Sequence, residues 1–287
     1  MVDGRKGFRR SRRLKSRETA IKILSAGKYA IYMIGGGGMG VSHPTDAHIY
    51  LIDGGGEAAM IDAGSGIQPE WMRDNIAADG VPLKQIRQIL LTHTHWDHGR
   101  GCAWWQRLTG AAISAHAVGA PTIEGALWGD SHIAKHGIAS DGAPVARRLA
   151  DGDEIAVDDL RLQVIHTPGH SQDSVCFLMP FGGRNVLFAG DTVFAEGQHG
   201  TVSADTDFRA YRDSVRRLAA LHVDCLLPSH KQFVLSRAHE HVALLERKLS
   251  GRWTDVATTR VPFFPTWWLE HDPSLYQDAK PFQHPPA

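Results

Sequence analysis

The feature that most constrains this 287-residue chain is a short run of potential metal ligands directly after an apolar segment. The run IRQILLT (86–92) predicts a buried strand, and His93, His95, Asp97 and His98 follow it. Neutral imidazole suits borderline divalent metals, and a neighbouring carboxylate suits a slightly harder second ion. His93 and His95 point the same way at a strand end because side chains alternate with a period of two. The turn that follows lets Asp97 and His98 face a second position nearby.

Three more potential ligands lie where predicted strands end. His170 is in the turn TPGHS, Asp191 follows the apolar run NVLFAG, and His230 follows the predicted strand VDCLL. Side chains at the exits of separate strands can converge on one site. The 17 histidines of the chain also favour metal chemistry. We therefore expect these three residues to complete the site that the first four begin.

In this order, the seven residues resemble the ligand pattern of the metallo-β-lactamase superfamily of metallohydrolases, over residues 28–249. The resemblance implies an α/β fold, an αββα sandwich of two mixed β-sheets flanked by helices. It also implies a dinuclear site between the sheets at one edge. The implied ligands of the first ion are His93, His95 and His170. Those of the second ion are Asp97, His98 and His230, and Asp191 would bridge the two ions.

The same resemblance implies the chemistry of the site. The expected cofactors are two divalent metal ions, zinc foremost, with cobalt, manganese or iron as alternatives. Two such ions lower the pKa of a bridging water, and the resulting hydroxide is the expected nucleophile. Asp97 and Asp191 are the expected catalytic carboxylates, and Asp97 can receive the proton of the attacking water. Asp62, which ends the predicted strand AAMID, matches an early aspartate of the superfamily that holds a ligand histidine in place.

We expect a hydrolase of a small-molecule lactone, ester or thioester. The segments GDTVF (190–194) and TPGHS resemble glyoxalase II and its thioesterase relatives. The ligand set also resembles N-acyl-homoserine lactonases, but those have a tyrosine shortly after the bridging aspartate, where this chain has Phe194.

Two alternative activities remain open within the superfamily. One is a phosphodiesterase or ribonuclease, against which the 31 basic and 31 acidic residues argue, because nucleic-acid-binding proteins usually carry a basic excess. The other is a persulfide dioxygenase with a single iron. The full second set of ligands argues against that activity. The expected partner is therefore a small molecule, without nucleic acid or membrane.

Aromatic side chains suggest a substrate pocket. Phe194 and His199 follow the bridging Asp191 closely in the sequence. Within the C-terminal part of the chain, residues 261–287 are rich in aromatic residues and proline, and so many exposed rings would form an adhesive patch. We expect this segment to pack on its own domain or across a partner subunit in a homodimer. The residues expected to line the pocket are Phe194, His199, Phe264, Trp267 and Trp268.

The chain divides into a basic N-terminal arm (1–27), a catalytic domain (28–250) and the C-terminal segment (251–287). The arm carries eight Lys or Arg residues between Arg5 and Arg17, and no apolar run follows that would make it an export signal. Three cysteines far apart favour a reducing compartment, so we expect a cytoplasmic protein. Polar composition over residues 129–146 predicts a loop.

Overall fold

Two mixed β-sheets pack face to face in the computed structural model, which describes residues 20–128, 141–203 and 206–250. The layer between them contains side chains of both sheets, such as Ile31 and Met33 from the first and Phe177 and Phe188 from the second. Each of these four side chains is fully buried. Because a sheet with two apolar faces must be covered on both, helices pack on the outer face of each sheet.

The first sheet contains seven strands within the described residues, and their order in the sheet follows their order in the chain. Strands β1 to β4 pair antiparallel, whereas β4 to β7 pair parallel. The strands are β1 (Ile21–Ala26), β2 (Tyr29–Gly35), β3 (Ile49–Asp53), β4 (Ala58–Ile61), β5 (Ile86–Leu90), β6 (Ala112–His116) and β7 (Val145–Leu149).

The second sheet contains five strands in the described part of the chain, in the order β12–β11–β10–β9–β8. Its strands pair antiparallel, except that β11 and β12 are parallel. The strands are β8 (Glu154–Val157), β9 (Leu160–His166), β10 (Val175–Phe181), β11 (Arg184–Gly190) and β12 (Cys225–Pro228).

Helices cover the outer faces of the two sheets. Helices α1 and α3 contribute to the core on the first sheet, and α5 and α6 contribute to the core on the second. Helix α5 begins at a capping aspartate, Asp207, whose carboxylate accepts hydrogen bonds from the first-turn amides of Arg209 and Ala210. The helices are α1 (Glu70–Ala78), α2 (Trp96–Gly99), α3 (Cys102–Thr109), α4 (Ala120–Gly125), α5 (Phe208–Ala219) and α6 (Ala238–Ser250).

The expected αββα sandwich of two mixed sheets is confirmed, with two differences in detail. Strand β1 lies inside the predicted arm 1–27 and pairs with β2, so the first sheet begins before residue 28. Strand β7 begins inside the predicted loop 129–146, at Val145. Both are strands at the edge of the sheet with exposed polar or charged residues, which hides their period-two pattern. Residues 1–19, 129–140, 204–205 and 251–287 lie outside the described residues.

The described residues contain no helix with the length and hydropathy that crossing a membrane would require.

Candidate metal centre

The seven predicted ligands lie together at one edge of the sandwich, on loops that leave both sheets. The loop after β5 contributes His93 and His95, and the short helix α2 contributes Asp97 and His98. The turn between β9 and β10 and the exits of β11 and β12 contribute one residue each. Side chains from segments far apart in sequence therefore meet in one place. These residues are His93, His95, Asp97, His98, His170, Asp191 and His230.

Three histidines form the first group. Nδ1 of His95 lies 3.0 Å from Nε2 of His93 and 3.0 Å from Nε2 of His170. Burial, followed by repulsion from His98 and His95, lowers the pKa of His93 well below its ordinary value. Burial likewise lowers the pKa of His170 to about 4. At neutral pH both imidazoles are therefore neutral, which is the form that binds a metal ion.

Asp97, His98 and His230 form the second group. Oδ2 of Asp97 lies 3.2 Å from Nε2 of His230 and 3.6 Å from Nε2 of His98. Burial alone would raise the pKa of Asp97, but attraction to His98 and His230 outweighs it and holds this pKa below its ordinary value. The second group thus presents an ionised carboxylate beside two imidazole nitrogens.

The two oxygens of Asp191 face the two groups. Oδ2 lies 3.6 Å from Nε2 of His170 in the first group. Oδ1 lies 3.6 Å from Nε2 of His98 and 3.5 Å from Nε2 of His230 in the second. Asp191 is 5% exposed, so its carboxylate is almost removed from water.

The donor atoms fit divalent metal ions. Within the described chain, Nε2 of His98 and Oδ1 of Asp191 are buried and have no hydrogen-bond partner. Leaving a buried polar atom unpaired costs about 1–3 kcal/mol, and more when the group is charged. A cation between the groups removes that cost, because imidazole nitrogens and carboxylate oxygens are ordinary ligands of zinc and similar ions.

Asp62 contacts His98 of the second group on the ring nitrogen that faces away from Asp97 and Asp191. Its Oδ2 lies 2.8 Å from Nδ1 of His98, and Oδ1 accepts a hydrogen bond of 2.8 Å from the amide of Thr92. The hydroxyl of Ser229 also donates to Oδ2, at 3.2 Å. Asp62 therefore ties the segments that precede His93 and His230 to the imidazole of His98, as expected of a residue that orients a ligand.

The glycine of the turn TPGHS is required by the close approach of α5. Gly169 has φ +146°, and a Cβ atom there would lie 2.3 Å from Cα of Tyr211. The hydroxyl of Tyr211 in turn lies within hydrogen-bond distance of the carbonyls of Asp191, at 2.9 Å, and Thr192, at 2.7 Å. Helix α5 thus packs against the turn that carries His170 and hydrogen-bonds to the backbone of Asp191.

The predicted pocket residues are only partly within the described chain. The ring of Phe194 lies 6.0 Å from that of His230, and Phe194 is 3% exposed. His199 lies beside Tyr211, with ring centroids 6.1 Å apart. Three of the predicted pocket residues lie outside the described residues: Phe264, Trp267 and Trp268.

Two buried polar residues close to the seven donors were not predicted from the sequence: His48 and Asp173. His48 precedes β3, and its ring lies 6.5 Å from that of His230. Burial, followed by repulsion from His230, lowers the pKa of His48 to about 3. The carboxylate of Asp173 accepts hydrogen bonds from Thr94, the residue between His93 and His95. Polar residues next to apolar strands are the only sequence signal for either one.

Comparison with known proteins agrees with this fold. A family model described as the metallo-beta-lactamase superfamily matches residues 44–230. The range includes all seven clustered residues. This protein belongs to the metallo-beta-lactamase superfamily, and the resemblance inferred from the sequence is confirmed. Divalent metal binding is the property that this membership and the clustered donors imply.

Two curated relatives illustrate the similarity in sequence. An atrochrysone carboxyl ACP thioesterase of Emericella nidulans is 28% identical over 200 residues, covering 70% of this chain and 56% of the relative. The lactamase-like protein nscB of Neosartorya fischeri is 28% identical over 219 residues, covering 75% of this chain and 58% of the relative. In both alignments this chain spans little more than half the length of the relative.

Two solved structures illustrate the similarity in fold. The metallo-beta-lactamase SMB-1 superposes with a TM-score of 0.65 at 21% identity, covering 87% of this chain and 100% of the other. BJP-1, a subclass B3 metallo-beta-lactamase of Bradyrhizobium japonicum, superposes with a TM-score of 0.60 at 24% identity, covering 77% and 88%. At these identities the similarity concerns the fold alone.

Proposed function

We propose that this protein is a hydrolase that uses two divalent metal ions, zinc foremost, to cleave a small-molecule thioester, ester or lactone. The observation that carries the proposal is the position of Asp191, whose opposite oxygens face the two groups of donors. One carboxylate between two sets of three donors suits a bridge between two ions. The thioesterase name of one relative supports thioesters as the first substrates to test.

The metal ions and the protein side chains would make different contributions to the proposed reaction. Bound divalent cations supply Lewis acidity and lower the pKa of water, which makes hydroxide available near pH 7. The imidazoles and carboxylates of both groups would hold the ions, and the burial of Asp191 keeps the reacting bond away from bulk water. An ester, thioester or lactone carbonyl suits this site because its cleavage needs a polarised oxygen and a water nucleophile, without a serine or cysteine.

Asp97 is the carboxylate best placed to handle the proton of the attacking water. Its side chain is 14% exposed, whereas that of Asp191 is 5% exposed, so Asp97 faces the open side of the site. Asp97 is ionised because His98 and His230 lower its pKa. It can therefore accept a hydrogen bond from the water and orient it toward a substrate carbonyl.

A screen of substrates tests the reaction class. The panel contains acyl thioesters, aryl esters, lactones, β-lactams, phosphodiesters and a persulfide, each with and without a chelator. We expect chelator-sensitive hydrolysis of at least one thioester, ester or lactone. Chelator-sensitive turnover of phosphodiesters alone, or oxygen-dependent turnover of the persulfide, would replace the proposal with the corresponding alternative.

Counting metal ions in the purified protein tests the number independently of any substrate. We expect about two ions per chain from two complete donor sets. Asp159→Asn is the matched control for Asp191→Asn, because Asp159 is an exposed carboxylate that contacts Lys28 and Tyr29 outside the site. The count should fall in the Asp191 variant alone. A single iron in the unaltered protein would contradict the two-metal proposal.

A further inference from the structure

Asp173 connects the two sheets beside the first group of donors. It lies in the turn between β9 and β10, three residues after His170, and is 7% exposed. Its Oδ2 accepts hydrogen bonds from the amide of Thr94 at 2.8 Å and from the hydroxyl of Thr94 at 2.7 Å. Thr94 is the residue between His93 and His95. One buried carboxylate therefore joins the segment of His170 to the segment of the other two histidines.

Thr94 is held on every polar atom. Its carbonyl accepts a hydrogen bond of 2.9 Å from Nε1 of Trp128, in addition to the two bonds from its amide and hydroxyl to Asp173. The backbone of Gly119 closes over the carboxylate, since a Cβ atom there would lie 2.2 Å from Oδ2 of Asp173. These contacts hold the side chain of Asp173 and the backbone of Thr94 in one arrangement.

We infer that Asp173 is a positioning residue for the first metal ion, fixing His170 relative to His93 and His95. The inference rests on the proposed function in one respect, that the three histidines bind an ion. Ligands of one ion must be placed together within a few tenths of an ångström, and these three come from different sheets. A carboxylate that spans the gap fixes their separation before the ion binds, which raises affinity by preorganisation.

The test withdraws zinc from the purified holoprotein with chelators of graded affinity. Asp173→Ala removes both hydrogen bonds to Thr94 and should weaken zinc binding about 10–100-fold at one of two steps, the range for partners that orient ligands. Asp173→Asn keeps an acceptor oxygen and should recover most of the loss. Thr94→Val removes only the hydroxyl bond and should cause a smaller loss, of about threefold to tenfold.

Two further variants show where the effect acts. Asp153→Ala removes a carboxylate that accepts a hydrogen bond from Ala150 in a turn outside the site, and zinc binding should not change. Asp62→Ala releases His98 and should weaken the other step. Combining Asp62→Ala with Asp173→Ala should therefore weaken both steps, whereas an effect on a single shared step would contradict the assignment.

Three outcomes overturn the inference. The first is unchanged zinc affinity in Asp173→Ala. The second is equal weakening of both steps together with a lower unfolding midpoint of the chelated protein, which indicates a general structural role. The third outcome concerns the case in which Asp173→Ala does not fold. In that case, unchanged zinc affinity in Thr94→Val overturns the inference. If the unaltered protein binds only one ion, the two-metal proposal fails, and Asp173 is judged by whether that ion is lost more easily from its variants.

Discussion

Oδ2 of Asp62 lies 2.8 Å from Nδ1 of His98, and both side chains are fully buried. This contact assigns the Nδ1 proton to the bond with Asp62 and leaves Nε2 of His98 facing Asp97 and Asp191. Burial lowers the pKa of His98, but the three carboxylates outweigh it and raise this pKa to about 10 in the protein without metal. A metal ion at Nε2 must therefore displace a proton, so its affinity rises with pH.

Asp62→Ala should lower the affinity for one metal ion about 10–100-fold and reduce hydrolysis, because His98 loses the partner that fixes its orientation. Chelator competition measures the affinity, and steady-state turnover measures the activity. Asp53→Ala is the control, since Asp53 ends the neighbouring strand and its carboxylate accepts a turn hydrogen bond from Gly55. Equal metal affinity in the two variants would contradict the role of Asp62.

Asp191→Ala or His95→Ala should abolish hydrolysis and lower the metal content of a protein that still folds. Asp191 faces both groups of donors, and His95 contacts two histidines of the first group. The variants should also unfold at lower temperature than the unaltered protein, because metal binding stabilises the folded state by mass action. Unchanged turnover in either well-folded variant would disprove the site.

Gly169→Ala should lower the free energy of unfolding by about 2–5 kcal/mol, the sum of backbone strain and overpacking. The added methyl would meet the backbone of Tyr211 at 2.3 Å, at a φ of +146°. Gly183→Ala is the matched control, since Gly183 has φ +78° and open space around it. Its cost should be strain alone, about 1 kcal/mol. Urea unfolding measures the free energy of unfolding of both variants. Equal losses of stability would show that α5 moves to make room for the added methyl group.

His48→Gln should make the protein less sensitive to acid. The pKa of His48 is about 3 in the folded state and 6.5 in the unfolded chain, so between these values the unfolded state binds a proton that the folded state does not. Stability is therefore lost as pH falls below 6.5, by up to about 1.4 kcal/mol per pH unit for this proton. Urea unfolding at pH 7, 6 and 5, with chelator present throughout, should give a shallower decline in His48→Gln. Parallel declines would contradict the prediction.

Deleting the residues after Pro262 tests the aromatic C-terminal segment, whose structure lies outside the described residues. Exposed aromatic side chains would be adhesive, so the segment should pack on the domain or on a second subunit. We expect the truncated protein to lose solubility, change its mass in light scattering, or change its preference among acyl groups. A soluble truncated protein with the same mass and preference would exclude packing and pocket roles together.

The clustering of the seven donor residues was predictable from sequence because each one lies within a few residues of an apolar strand. The sequence HTHWDH directly follows an apolar strand, and the loop and the short helix α2 that it forms divide its side chains between two positions. The edge strands were harder to recognise. Strand β7 reads VARRL, with two arginines exposed on the edge of the sheet, and such strands lack the apolar signal of central ones.

The contacts that connect distant segments could not be predicted. Asp173 and Thr94 are 79 residues apart, and nothing in either local sequence indicates that they meet. The same holds for Ser229, which donates to Asp62 across 167 residues. Such contacts depend on how the two sheets are packed, which is decided by the core between them and by no short motif.

The order of the donors along the chain has a consequence for biosynthesis. The first four, through His98, leave the ribosome long before His170, Asp191 and His230. Neither set of donors is complete until the chain has been made past residue 170, and the second waits for residue 230. A nascent chain therefore carries the first four donors before either set is finished. If the site binds two ions as proposed, it can be filled completely only after residue 230 has been made, when the first sheet is already synthesised.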